Sequence, residues 1–253
     1  MISFTEAQLT GWLTPLLWPF LRALALFTAL PVFSQRSVPM RVKVSLAFFI
    51  ALASQASLPP MPVVPLDSAA AFMLVIQQVL IGVTLGFAVR VVFAAVEFAG
   101  ELIGLQMGLN FAGFFDPATA SQGTASGRFF GTIVGFLFII VNGHLAIIMA
   151  LAKSFVIFPV GPEPFAFLRA VNVPAWGAEV FSMGLWIALP LVGMLLFVNL
   201  VLGVISRVAP QINIFAIGFP VTLGVGLVGM LLTLPLLEQP FTMALERMLG
   251  HFQ

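Results

Sequence analysis

Cysteine and tyrosine are both absent from the 253 residues, and charge is scarce. Without cysteine there is no disulfide, no thiolate nucleophile and no Cys-based metal site. The two histidines, His144 and His251, lie far apart with no ligand cluster beside either, which argues against zinc. Only 8% of residues are Asp, Glu, Lys or Arg, against about 25% in a soluble domain. With 61% hydrophobic residues and a mean hydropathy of +1.15, the chain reads as an integral membrane protein. Its net charge of +1 provides no basic field for nucleic acid. No HExxH, P-loop or dinucleotide-binding glycine fingerprint occurs. Thr124–Gly127, TASG, offers a serine with His144 downstream, but no base held in reach and no oxyanion hole are legible. An intramembrane hydrolase is therefore set aside, and neither enzymatic activity nor a cofactor is expected. What is plentiful is phenylalanine and methionine, the materials of apolar packing and pliable contact.

About six apolar segments follow one another, predicting an all-α membrane protein with several broken or kinked helices. Residues 1–10 lack a positive n-region and a cleavage site, so the N-terminus is read as retained. The first segment, 11–33, carries Pro15, Pro19, Pro31 and Arg22; the arginine is expected to snorkel or to pair with a neighbouring helix. The second, 44–58, is short for a span of about 20 residues and stops at the stiff run Pro59–Pro65. The third, from 69 to 109, would be about 60 Å long if continuous, so it either breaks or protrudes. The fourth, 129–152, reads as one full span with Asn142 and His144 near its middle; His144 is expected to be a hydrogen-bonded packing residue. Trp176 suits a membrane boundary. The fifth, 180–205, contains Pro190, and the sixth, 212–237, is split by Pro220 and several glycines. The polar turn between them makes the pair a helical hairpin, followed by an amphipathic tail over 238–253. Counting spans from an outside N-terminus puts Arg36, Arg41, Lys43, Arg128 and Arg207 in the cytoplasm, against Lys153, Arg169 and Arg247 outside.

The least generic stretch is Glu97–Arg128, EFAGELIGLQMGLNFAGFFDPATASQGTASGR. Glu97 and Glu101 are one helical turn apart, and Arg90, seven residues earlier, falls on the same stripe. Gly82, Gly86, Gly100, Gly104 and Gly108 lie on or near it. A face of small residues and ions suits a protein helix better than lipid, and predicts a buried charge network of Arg90, Glu97 and Glu101. Asp116, before Pro117, reads as a turn residue. Arg207, Gln211 and Asn213 mark the hairpin turn; Gln211 and Asn213 are expected to cap the hairpin there and to contact a neighbouring subunit.

Two stretches carry a family resemblance. Gly100–Pro117, GELIGLQMGLNFAGFFDP, and Ser206–Gly224, SRVAPQINIFAIGFPVTLG, resemble signatures of the FliR family of flagellar and type III secretion export-gate proteins. Length, segment number and the TEAQL-type opening fit across the whole chain. The resemblance implies a FliP-like helical part over 1–179 and a FliQ-like hairpin with tail over 180–253, in a single membrane domain. It implies a hetero-oligomer with several copies of FliP and FliQ, plus FlhB, in the bacterial inner membrane at the flagellar basal body, with part of the assembly above the bilayer. Unfolded flagellar subunits would pass through its channel. A loop over about 107–123 would plug that channel, with Met107, Phe111, Phe114 and Phe115 filling the lumen and excluding water as a hydrophobic constriction does. The same three phenylalanines could also pack in a bundle core. Some relatives continue into FlhB, which begins in the cytoplasm, so the orientation of the termini stays open. The alternative of a different class is a self-contained small-solute transporter, whose broken helices and polar midpoints this chain shares.

Overall fold

The computed structural model describes residues 6–34, 38–109, 124–161, 163, 165–211 and 213–252, and among these every regular element is helical. The α-helices are α1 (Glu6–Ala29), α2 (Met40–Ser54), α3 (Ala69–Gln106), α4 (Ala125–Ile140), α5 (Gly143–Ile157), α6 (Ala166–Ala170), α7 (Trp176–Val208), α8 (Ile214–Thr233) and α9 (Glu238–Leu249). Among the described residues four stretches are long and apolar enough to cross a membrane, or five if α4 and α5 together make one broken span.

Several expectations are corrected by this arrangement. Of the two alternatives for the third segment, a break is ruled out: α3 runs 38 residues without interruption, about 57 Å of helix. In an apolar setting the helix is the one way to satisfy every backbone group locally, so glycine alone does not end it. The same reason keeps α7 intact through Pro190 and α8 intact through Pro220. The fourth segment, expected as one span, is instead two helices. Asn142 adopts φ 55°, ψ 32°, a left-handed conformation that asparagine tolerates. The Val141 N–H still closes on the Leu137 carbonyl, while Leu145 and Ala146 donate to the Asn142 carbonyl and start α5. The second helix begins four residues earlier than expected, behind Pro39, and ends at Ser54 in a short 3₁₀ turn.

The chain divides into two compact units. The first holds residues 1–91, 142–176 and 245–253. In it α1 packs on α2, whose inward face is Ala47 and Ala51. The first half of α3 comes so near α1 that a Cβ at Gly82 would strike the Arg22 carbonyl oxygen. Trp18 is fully buried, and its indole N–H donates to the Pro62 carbonyl at 3.1 Å. Trp176, expected at a membrane boundary, is buried: it stacks on Phe87 with centroids 6.0 Å apart and meets the His251 ring edge-on.

The second unit holds residues 92–141 and 177–244. Phe93 lies edge-on to both Phe138 and Phe241, tying α3 to α4 and to the start of α9. Phe98 on α3 and Phe181 on α7 meet at 5.2 Å. Most of the apolar surface of α7 remains exposed, Trp186 and Phe197 included.

Candidate functional site

The end of α3 and the start of α4, both in the second unit, bracket the segment 110–123. At the α3 end Gly108 takes φ 80°, the left-handed conformation that glycine adopts without penalty. The Leu109 N–H donates to the Gly104 carbonyl, and the Gly108 N–H to the Leu105 carbonyl. That pair of bonds is the Schellman closure of a helix. Met107, at the cap position, is fully buried. Its side chain fills the space beside Gly226 of α8, where a Cβ would collide with it.

At the α4 end Thr124 is the N-cap, and its Oγ1 accepts the Gly127 N–H at 3.0 Å. In a capping box the residue at position 127 would be Glu or Gln, reaching back to the backbone N–H of the cap. Here position 127 is glycine, and the carboxylate comes from another helix. Glu101 of α3 accepts the Thr124 N–H through Oε1 at 2.9 Å. A Cβ on Gly127 would run into that same oxygen, and one on Gly104 into the Ser126 hydroxyl. The Thr124 and Ser126 hydroxyls share a further hydrogen bond at 2.9 Å. Both ends of the segment 110–123 are thus fixed on rigid helices.

The residues singled out in the sequence fall as follows. Phe111, Phe114 and Phe115 lie outside the described residues, whereas Met107 belongs to the core of the second unit. Arg90 and Glu97 are exposed on the single chain and Glu101 is half-buried; Glu97 rests against Gly131. Asn213 caps α8, its side-chain oxygen accepting the Ala216 N–H at 3.3 Å. Arg207 and Gln211 are exposed beside it. The Nδ1 of His144, expected to be a hydrogen-bonded packing residue, is buried with no hydrogen-bond partner among the described residues. Among the described residues no group of three or more His, Asp or Glu could hold a metal ion.

A second polar centre lies in the first unit, around Arg22, which takes the second of its two expected roles and pairs with neighbouring helices. Arg22 is fully buried. Its Nε donates to Gln78 Oε1 at 2.8 Å, Nη1 to Ser154 Oγ at 2.9 Å and Nη2 to the Phe158 carbonyl at 2.9 Å. The guanidinium lies 3.7 Å over the Phe155 ring. Gln78 in turn donates to Gln77 Oε1 at 2.9 Å, and that oxygen also accepts the Gly161 N–H. The partners of Arg22 are therefore neutral oxygens and a ring face, which a planar fork of donors can satisfy together. The sequence showed Arg22 and the adjacent pair Gln77–Gln78 each within an apolar helix, but not that they meet.

The model of the family described as bacterial export proteins, family 1, matches residues 13–248. Curated relatives bear the description flagellar biosynthetic protein FliR. The chain is 45% identical to that of Escherichia coli K12 over 241 residues, covering 95% of this chain and 92% of the relative. It is 43% identical to that of Pectobacterium carotovorum with the same coverage. It is 29% identical to that of Bacillus subtilis over 240 residues, 90% of this chain and 91% of the relative.

Proposed function

Because the chain belongs to family 1 of the bacterial export proteins, we propose that it is a channel-forming subunit of the flagellar type III protein export gate. The observation that carries this reading is the near full-length match to flagellar biosynthetic proteins. The physics agrees with it. The long apolar helices, and the uncovered apolar length of α7 among them, suit a membrane. In this reading the chain assembles with several copies of FliP and FliQ, and with FlhB, in the inner membrane at the flagellar base. The parts 1–179 and 180–253 take the FliP-like and FliQ-like places. Unfolded flagellar subunits pass through the assembled channel, and no bond is made or broken in the process by this chain.

The loop over about 107–123 helps to seal the resting channel. Phe111, Phe114 and Phe115 supply bulk that excludes water from a narrow lumen. The Schellman closure at Gly108 and the Glu101–Thr124 bond hold the two ends of that loop in register. Arg90, Glu97 and Glu101 form one charge stripe whose members pair within or between helices, and Arg90 stands exposed on the single chain. Gln211 and Arg207, exposed beside the Asn213 cap, face a neighbouring subunit.

Deletion of the gene, with secretion of hook and filament subunits into the medium as readout, tests this reading together with native mass spectrometry of gently extracted complexes. Secretion should stop, and the chain should fly within a large hetero-oligomer of small membrane proteins. A monomer or homodimer that persists across mild detergents, with secretion intact, would overturn the export reading and favour a small-solute transporter.

A further inference from the structure

We infer that α2 carries a binding site for one anionic phospholipid, the headgroup phosphate at Arg41 in the field of the nearby Lys43 and an acyl chain along Val42, Leu46 and Phe49. Four observations converge on it. An open groove of about 370 Å³ runs along one face of α2, lined by Arg41, Val42, Ser45, Leu46 and Phe49. Its lining is almost wholly apolar, with Arg41 at one end and Ser45 midway along, its hydroxyl donating to the Arg41 carbonyl at 2.9 Å. Phe49, two turns from Arg41, is 64% exposed, so the apolar part of the groove has no cover within the chain.

The charge at the other end is unbalanced. Residues 7–66 contain no Asp or Glu, yet Arg36, Arg41 and Lys43 fall within eight positions. Among the described residues no carboxylate pairs with Arg41 or Lys43. These cations also sit at the wrong end of a helix. The first turn of α2 has no acidic residue, and Pro39 at the cap position offers no side-chain acceptor. Free N–H groups and the positive end of the helix dipole add to the two cations there, and together they favour an anion.

The chemistry of that anion follows from the groove. A free phosphate would satisfy the cations but leave Val42, Leu46 and Phe49 bare. An acidic helix of another protein would need carboxylates and apolar residues matched over the same turn. A phospholipid brings phosphate and hydrocarbon already joined, at the spacing between Arg41 and Phe49, about 12 Å on a helix. The helix itself, at 15 residues, is too short to cross a bilayer. It is suited to sit with its first turn at the headgroups and its apolar face in the acyl layer.

The test uses the full chain reconstituted in vesicles of equal phosphatidylglycerol and phosphatidylcholine. After gentle extraction, native mass spectrometry counts the lipids retained. Wild-type chain should keep phosphatidylglycerol preferentially. Arg41→Gln with Lys43→Gln should lower that preference by about fivefold for each cation removed. Ser45→Glu keeps both cations but places a carboxylate in the groove, and should abolish the preference as well; circular dichroism confirms that each variant retains its helices. Equal retention of the two lipids by wild type, or an unchanged preference in both variants, would overturn the inference. So would a photocrosslinker at Phe49 that captures protein and no lipid in the native membrane. The site stands on membrane insertion alone, so its failure leaves the export reading untouched.

Discussion

The Thr124 backbone N–H donates to Glu101 Oε1 at 2.9 Å, joining residues 23 apart in sequence and closing the loop between α3 and α4 at its root. The bond does for α4 what a glutamate three residues inside the helix does in an ordinary capping box. Supplied from a second helix, it fixes where α4 begins relative to α3.

Replacing Glu101 by alanine leaves the Thr124 N–H without its acceptor, at a cost of about 1–3 kcal/mol to the first turn of α4. Amide exchange at residues 124–128 should accelerate by roughly tenfold or more. Glu101→Gln keeps an acceptor oxygen and should fall between wild type and alanine. Unchanged protection in the alanine variant would remove Glu101 from the cap.

Gly127→Ala should produce the same fraying, because the new methyl group lands on the Glu101 carboxylate. Helix propensity alone points the other way, alanine being better than glycine by about 1 kcal/mol. The sign of the change therefore decides between the two effects. Combined with Glu101→Ala, the second substitution should add little or become favourable, since the clash is gone. Strict additivity would mean the two positions do not meet.

Arg22→Met should destabilise the first unit by about 1–3 kcal/mol, because the buried acceptors of Gln78, Ser154 and Phe158 lose their donor. Arg22→Lys should recover little, since a compact ammonium cannot span Gln78, Ser154 and the Phe158 carbonyl together. Thermal unfolding of the purified chain in detergent reads both. A cycle with Gln78→Leu should show coupling; independent effects would sink the network.

For the proposed seal, changing Phe111, Phe114 and Phe115 together to glycine should make cells leakier to small ions, measured as membrane conductance or dye influx under non-secreting conditions. Cells no leakier than wild type would place the seal elsewhere.

For the charge stripe, Arg90→Glu should reduce motility, and a second reversal, Glu97→Arg or Glu101→Arg, should restore part of it. Failure of both double variants to recover would argue against pairing on this stripe.

By itself the sequence determined the membrane class, the all-helical character and the family, because hydropathy and short motifs are local properties read a few residues at a time. It placed α7, α8 and α9 nearly where they are, and it marked Glu101, Gly104 and Gly108 as one face of α3. It misjudged Pro220 and the glycines as splitting α8, and it left open a break in α3 that does not occur: in apolar surroundings a helix has no better alternative for its backbone groups. The break at Asn142 was missed because the long apolar runs on either side of Asn142-Gly143-His144 read as one span, and a single left-handed residue divides them. Tertiary structure alone decided the partners. Arg22 finds its acceptors 56, 132 and 136 residues away. Glu101 caps a helix to which it does not belong, and Met107 lies in a gap that Gly226 opens on α8. These pairings depend on which faces pack together, and a chain apolar on nearly every face carries no periodic signal that says which.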